Sequence, residues 1–475
     1  MRRRLNPDLL KRERMSDTLM VSVSGIRGHV GADLTPELVS RYAAALGAWS
    51  RSTFSGAMSD RRPAVVLGRD ARTSGSMFAR SAAAGLMSVG VDVIDLGIVP
   101  TPTVQLAVEH HHAAAGLILT ASHNAIEWNA LKFVGPDGIF LDHEAWQAVL
   151  SLAEQGPPRT GWSEIGVVQE DSKAIDRHLN GILALPMIDV AAIRARRFAV
   201  ALDCVRGAGA SAILPLLDRL SCRVQGINLQ MDGRFPHPPE PVPENLGELG
   251  ELVRKTRADI GLAVDPDVDR LALVDETGKP IGEDYTLAFA VRAVLDGRLT
   301  GGTLPTVVVN LSTSLVVEDA ARAGGARFVR APVGEANVAR SIREERAVIG
   351  GEGNGGVMLP ALHIGRDAPL GVALILHLLA KTGVTLSRLV AESPRYTIVK
   401  AKAPRGSDLH LLYSRLQQRF PDASVDERDG LRLAWSDRWL HVRPSGTEPI
   451  VRLIAEAPTE ADAEALVAAG RELLD

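Results

Sequence analysis

The run Ala263-Val264-Asp265-Pro266-Asp267-Val268-Asp269-Arg270 sets three carboxylates at alternate positions where an apolar segment ends. Carboxylates this close repel one another unless a cation lies among them, and hard oxygen ligands suit Mg²⁺ or Ca²⁺. A calcium EF-hand is rejected. Glu276 falls at the twelfth loop position, but Arg270 stands where the sharp turn needs Gly, and the preceding segment is strand-like. Mg²⁺ keeps water or phosphate oxygens in its shell, so a site of this composition leaves room for a phosphorylated partner. The plainer reading is a solvated acidic turn.

Other segments are suited to anions and sugars. Gly116 to Leu119 is apolar, and the chain then turns polar at Thr120, Ser122, His123 and Asn124. In open α/β sheets ligands bind at the carboxyl ends of strands, so a hydroxyl and an imidazole there invite a chemical role, although Ser and Asn are also ordinary turn residues. Arg443, Ser445, Gly446 and Thr447 combine a guanidinium, two hydroxyls and a closely approachable backbone, which is a phosphate cradle or a simple turn. Arg27, between Gly25 and Gly28, either contacts an anion or faces solvent. Gly351 to Gly356 has the form Gly-x-Gly-x-x-Gly, but Glu352 within it would crowd a pyrophosphate, and Glu352 with Asn354 is better suited to sugar hydroxyls. Gly207 to Ala212 also imitates a dinucleotide loop, with Asp232 only an approximate ribose partner. The one Gly-Lys pair, Gly278-Lys279, runs into Pro280, so there is no Walker loop.

The elements that must position these groups repeat a theme. Apolar strands from Ala64, Phe198 and Thr306 each lead through a polar turn into a helical pattern and then a second strand, from Val91, Cys222 and Ala326. Three βαβ-type α/β domains with mixed or parallel sheets are expected. Segments from Arg395, Leu431 and Ile450 alternate like a half-exposed sheet, with helices at 410–419 and 460–474, which predicts a smaller C-terminal α+β domain. The expected divisions are a charged tail at 1–14 and domains at 15–165, 166–276, 277–391 and 392–475.

Composition bounds the function. A chain of 475 residues exceeds one core, and 46% hydrophobic with 23% charged residues is ordinary for a globular protein. A net charge of −4 and 4% aromatics argue against nucleic acid as a partner. No apolar run is long enough to span a bilayer, and Cys204 and Cys222 are the only cysteines, so a reducing cytoplasm is the expected location. The N-terminal charges precede no signal-type apolar stretch, and Met15 is an alternative start to Met1.

The ordered set SGIRG (24–28), GRDARTSG (68–75), TASHN (120–124), DGRFPHPPEPVPENL (232–246), DPDVDR (265–270), GEGNGG (351–356) and RPSGTEP (443–449) resembles the α-D-phosphohexomutase family, which includes phosphoglucomutase, phosphomannomutase and phosphoglucosamine mutase. The resemblance covers nearly all of the chain after Met15. It implies four domains around a central cleft, a phosphoserine, one Mg²⁺, and reversible phosphoryl transfer between C6 and C1 of a hexose phosphate through a hexose 1,6-bisphosphate. On that basis Ser122 is the phosphoryl carrier and a metal ligand beside Asp265, Asp267 and Asp269. His123 and Lys132 are implied as proton handlers, Arg270 as a neighbour of the metal, and Arg27 as a neighbour of the phosphoryl group. The substrate's non-reacting phosphate would meet Arg443, Ser445, Gly446 and Thr447, while Glu352 and Asn354 hold hydroxyls.

GEGNGG resembles the archaeal-type phosphoglucosamine mutase branch, whereas the common bacterial form of that enzyme carries Ser where Asn354 stands; Ala125 replaces a Pro found in many relatives. Glucosamine 6-phosphate is therefore the expected substrate, with mannose and glucose phosphates as alternatives. A phosphatase would use the same metal but end at water. A sugar-phosphate binding protein would need neither Ser122 nor the Asp triplet, and a dehydrogenase built on Gly207 to Ala212 is weaker still.

Overall fold

The computed structural model describes residues 19–23, 25–54, 62–296, 304–404, 409–444 and 450–474. Three of its sheets share one plan. In the first, Ala64–Arg69 pairs in parallel with both Asp92–Ile98 and Ala115–Leu119, and Ala115–Leu119 then turns back antiparallel into Trp128–Val134. In the second, Ala199–Asp203 stands between Arg223–Ile227 and Ile260–Val264, and Ile260–Val264 pairs antiparallel with Leu271–Val274. In the third, Thr306–Asn310 stands between Arg327–Ala331 and Ile349–Glu352, and the returning strand is Gly356–Met358. The inner strands Ala115–Leu119, Ile260–Val264 and Ile349–Glu352 are buried along their whole length, as strands covered by helices on both faces must be. Polar residues can therefore appear only where these strands end, and each hairpin loop gathers the chain's reactive side chains there.

The first sheet gains Met20–Ser22 and Gly25–His29 at one edge and Val168–Glu170 at the other. The fourth sheet is wholly antiparallel, in the order Thr397–Pro404, Ile450–Ala457, Trp439–Pro444, Leu431–Ala434, Ser424–Asp426, with helices Leu409–Arg419 and Glu460–Glu472. The expected architecture is thus the observed one. The predicted strand from Leu431 is in fact two, Leu431–Ala434 and Trp439–Pro444, because Ser436-Asp437 turns the chain between them.

One apolar core runs from Leu179 through Val264, Phe289 and Val309 to Leu389, so the second and third sheets are packed as a unit. Their hairpins also touch through the backbone: Leu271 N–H donates to Gly355 O at 3.1 Å. Gly355 has φ +85, and a Cβ there would lie 2.3 Å from Leu271 O, so only glycine allows this approach. Thr101, opening the helix Thr101–His110 of the first domain, donates its N–H to Asp267 O at 2.9 Å.

A buried clasp joins the same three parts. One oxygen of Asp367 accepts from His178 Nε2 at 2.7 Å and His363 Nε2 at 3.0 Å, Thr103 Oγ1 meets His178 Nδ1 at 2.9 Å, and the other Asp367 oxygen caps the helix Ala368–Thr382 through Leu370 N–H. Burial, the largest influence on Asp367, raises its carboxyl, yet the two imidazoles outweigh it and hold the group below the ordinary range. As an ionised acceptor it leaves both Nε2 atoms protonated, and of these side chains' polar atoms His363 Nδ1 is buried without a hydrogen-bond partner. No single helix among the described residues is long and apolar enough to cross a membrane; Ala368–Thr382 is buried in the core from Ala368 to Leu379.

Candidate active site

Ser122 lies just beyond the strand Ala115–Leu119 in the left-handed region, φ +48, a conformation that costs a non-glycine residue roughly 1–2 kcal/mol. Local bonds hold it there. Ser122 N–H donates to Thr120 Oγ1 at 2.9 Å, and Thr120 Oγ1 donates to Asp70 at 2.6 Å. Beneath the loop the buried Arg72 guanidinium donates to the carbonyls of Ser122 (2.7 Å), Asn124 (2.6 Å), Ala125 (2.7 Å) and Trp128 (2.8 Å), with Nε on Asp70 at 3.1 Å. Five bonds to one planar side chain leave the Ser122 backbone little freedom, and Ser122 as a whole is only 2% exposed.

That hydroxyl donates to Asp265 Oδ2 at 2.8 Å, which joins the first hairpin loop to the second. The second loop spans residues 265–270 between paired Val264 and Leu271, and its Val268 has φ +61, an outlying conformation for a β-branched residue. The reversal at Val268, rather than a strand pleat, turns Asp265, Asp267 and Asp269 inward until one oxygen from each lies within 4.8 Å of the others. All three are at most 1% exposed. Asp267 Oδ1 and Asp269 Oδ1 are buried without a hydrogen-bond partner.

Buried charges need pairing or a metal, so two orphaned carboxylate oxygens in a triad this tightly gathered fit a hard divalent cation. The electrostatics agree. Burial first, and then Asp267 and Asp269, push Asp265 well above the carboxylate range; burial also raises Asp267, but Lys132 and the hydrogen bonds from Asp265 and Lys132 bring it below that range. Without a cation, the cluster relieves its repulsion by unequal protonation.

Lys132 is 4% exposed on the returning strand Trp128–Val134, and its Nζ donates to Asp267 Oδ2 at 2.7 Å and stands 3.9 Å from Asp269. His123 Nδ1 is 3.4 Å from Ser122 Oγ, and its Nε2 is 3.7 Å from Glu240. Burial above all, then Arg270 and Arg27, lower this imidazole to about 2, so it is neutral at pH 7. Arg27, on Gly25–His29, donates to Asn124 Oδ1 at 3.2 Å, and Arg270 reaches Glu240 at 3.3 Å. Ser122, His123, Lys132, Arg27, Arg270 and the three aspartates thus share one neighbourhood.

Glu352, closing the strand Ile349–Glu352, is 4% exposed and accepts from Asn310 at 2.9 Å, Gly334 N–H at 3.2 Å and Arg366 at 3.0 Å. Burial raises it, but Arg366 and Asn310 more than offset this and keep it ionised. Asn354 is half-buried and accepts from Gly356 N–H at 3.2 Å. Arg443 belongs to a different setting, on Trp439–Pro444 of the fourth sheet, ion-paired with Asp429 at 3.1 Å. Ser445, Gly446 and Thr447 lie outside the described residues. The dinucleotide-like Gly207 to Ala212 opens the helix Gly209–Arg219, and Asp232 is bound to Arg206.

Family models of phosphoglucomutase/phosphomannomutase match the chain four times: alpha/beta/alpha domain I at 19–159, domain II at 176–278, domain III at 282–396 and the C-terminal domain at 399–473. The chain belongs to this phosphohexomutase family. A Thermococcus kodakarensis protein named phosphoglucomutase/phosphomannomutase is 37% identical over 95% of this chain and 97% of its own length. A Sulfurisphaera tokodaii protein named phosphoglucosamine/phosphogalactosamine mutase is 33% identical over 94% and 97%. The crystal structure of a phosphoglucomutase/phosphomannomutase family protein from Burkholderia thailandensis superposes with a TM-score of 0.82 at 26% identity, covering 96% of this chain and 98% of that one.

Three residues of the candidate site escape a reading of sequence. Arg72 holds the Ser122 loop, Thr101 Oγ1 donates to Asp267 Oδ2 at 3.0 Å, and Arg366 ties Asp269, Glu335 and Glu352 together. The usable signal was the tetrapeptide Gly-Arg-Asp-Ala, which occurs both at 68–71 and at 365–368. In each copy the Asp accepts from the backbone two or three residues on, a local turn device.

Proposed function

We propose that this phosphohexomutase carries a phosphoryl group on Ser122 and exchanges it between C6 and C1 of a hexose phosphate by way of the 1,6-bisphosphate, with glucosamine 6-phosphate to glucosamine 1-phosphate as the preferred reaction. The observation that carries the mechanism is the 2.8 Å bond from Ser122 Oγ to Asp265, inside a carboxylate triad that retains two orphaned oxygens. Mg²⁺ held by Asp265, Asp267, Asp269 and a Ser122 phosphate oxygen would offset charge on the transferring group. The remaining steps belong to side chains. Lys132, once it has passed a proton to its partner Asp267 Oδ2, can receive the proton of an attacking sugar hydroxyl. Neutral His123 offers a second acceptor beside Ser122 Oγ. Arg27 and Arg270 flank the same point and suit the equatorial phosphoryl oxygens. Ser122 at 2% and Lys132 at 4% exposure shield the transfer from water, which favours a mutase over a phosphatase. Nothing in this chemistry requires a nucleic acid or a membrane, and a soluble sugar phosphate suits a cytoplasmic enzyme.

The preference for an amino sugar rests on GEGNGG and on the name of the Sulfurisphaera relative, while the Thermococcus relative's name favours mannose and glucose phosphates. One substituent at C2 is worth only about 1–3 kcal/mol, so broad tolerance beside a preference is expected. Measuring kcat/KM for the 6-phosphates of glucosamine, mannose and glucose on one phosphorylated preparation tests this. A tenfold or larger advantage for either neutral sugar overturns the choice.

Arg443 is assigned to the non-reacting phosphate together with Ser445, Gly446 and Thr447. Arg443→Ala should raise KM about 10–100-fold, since a charge-assisted bond contributes roughly 1.5–3 kcal/mol, and should leave the melting temperature close to wild type because its pair with Asp429 is partly exposed. Steady-state kinetics on two sugar phosphates check it; an unchanged KM on both places the phosphate elsewhere.

A further inference from the structure

Arg366 lies at the junction of the metal loop and the sugar loop without belonging to either. It precedes Asp367, the cap of the helix Ala368–Thr382, and its side chain is only 9% exposed. Three carboxylates from three elements converge on its planar head. Nη2 donates to Asp269 Oδ2 at 2.6 Å, Nη1 to Glu352 Oε2 at 3.0 Å and Nε to Glu335 Oε2 at 3.0 Å, while the Arg366 backbone N–H adds a second bond to Glu335 at 3.3 Å. Glu335 opens the helix Glu335–Glu344, so the guanidinium is anchored on a rigid element and presents its two remaining edges to the site.

The last residue of GEGNGG follows from the same contact. A Cβ at Gly356 would lie 2.3 Å from Arg366 Cδ and 2.8 Å from Arg366 Cγ, so the Arg366 stem crosses Gly356 where no other residue leaves space. Gly356 therefore marks the path of Arg366, independently of any phosphate or sugar contact.

The consequence for Asp269 is directional. With Oδ2 taken by Arg366, the carboxylate is left with Oδ1, one of the two buried triad oxygens without a hydrogen bond, which has only the Arg270 Nε ion pair at 3.8 Å beside it. For Glu352 the same side chain fixes one oxygen, while Asn310 and Gly334 hold the other. We propose that Arg366 is a positioning residue that presets Asp269 as a metal ligand and couples its orientation to that of Glu352 in the sugar loop, with Gly356 kept small to admit it. This rests on the reading of Asp265, Asp267 and Asp269 as the metal site. A lysine would keep the charge but not the fork: one ammonium cannot meet three carboxylates in the fixed directions a guanidinium provides. Partners that orient metal ligands typically govern affinity by 10–100-fold.

The test is Mn²⁺ binding, followed by electron paramagnetic resonance on the purified full chain, for wild type, Arg366→Lys, Gly356→Ala and Asp267→Asn, with near-ultraviolet circular dichroism to establish folding. Arg366→Lys and Gly356→Ala should each weaken Mn²⁺ about 10–100-fold and raise the sugar KM, while Gly356→Ala alters no charged group. A purely structural Arg366 would lower the melting temperature and leave the affinity of the folded protein unchanged. Wild-type Mn²⁺ affinity in folded Arg366→Lys and Gly356→Ala, with loss in Asp267→Asn, overturns the positioning role alone; retention in Asp267→Asn as well overturns the metal site beneath it. If Arg366→Lys does not fold, Gly356→Ala decides.

Discussion

Ser122→Ala removes at least about 10³-fold of mutase activity while the protein still folds, because losing a covalent carrier eliminates the reaction path rather than weakening it. The cost to stability is small by comparison. The variant loses one hydroxyl bond, Ser122 Oγ to Asp265, worth about 1 kcal/mol, and Ala accepts φ +48 no less readily than Ser. The loop keeps its shape because Arg72 and Thr120 hold backbone atoms of residue 122, not its side chain. Intact mass should show one phosphate on wild type and none on the variant, and incubation with sugar monophosphate should remove the wild-type phosphate. Full turnover by Ser122→Ala with no phosphorylated species anywhere would sink the mechanism.

The three-fold repeat was readable because it is written in hydrophobicity. Val65-Val66-Leu67, Val200-Ala201-Leu202 and Val307-Val308-Val309 are strands buried on both faces, and such strands leave an unbroken apolar run whose polar end marks the carboxyl edge. The fourth sheet announced itself by alternation. What pattern could not show was that each repeat ends in an antiparallel hairpin, since the returning strands Leu271–Val274 and Gly356–Met358 are only 4 and 3 residues long. Short segments carry too little periodicity to be told from loop. Nor could it show that the second and third domains share one core, because the placing of Leu202 and Leu374 in the same apolar core leaves no mark in either local run.

The site divides along the same line. Asp265, Asp267 and Asp269 stood out because like charges at short spacing are costly and ask for a cause. Ser122 and Glu352 were found at strand ends, where polarity interrupts burial. Arg72 and Arg366 were given no role from sequence: each is a buried cation with partners 50 and 97 residues distant in sequence, at Ser122 and Asp269 respectively, and an Arg read alone passes for solvated surface. The structure also alters the picture of Glu352. Read alone it is a free carboxylate for a sugar hydroxyl; in the fold its oxygens are already bound by Asn310, Gly334 and Arg366, so a sugar must share or displace those bonds.

Asp267→Asn is expected to lose about 10²-fold or more in Mg²⁺ affinity and to turn over correspondingly slowly at limiting Mg²⁺. The substitution keeps the shape of the side chain and removes one unit of charge beside a divalent cation, an interaction of several kcal/mol even at an effective dielectric of about 20. A second effect runs alongside, because Lys132 Nζ loses the charge of its 2.7 Å partner and keeps Asp269, at 3.9 Å, as its ion pair. A buried ion pair broken from one side destabilises by about 3–5 kcal/mol, so the variant should also melt at a lower temperature. The two effects separate in a thermal scan with and without Mg²⁺. A ligand bound only by the folded state stabilises by about 2.7 kcal/mol at one hundred times its dissociation constant, so wild type should melt higher when Mg²⁺ is added, whereas Asp267→Asn should respond only at far greater concentrations. Chelation should abolish wild-type activity and Mg²⁺ restore it. A melting temperature of wild type that ignores both chelator and Mg²⁺, together with activity that survives chelation, would mean that Lys132, Arg270 and Arg366 alone balance the aspartates, and the triad would then be a structural ion network and not a metal centre.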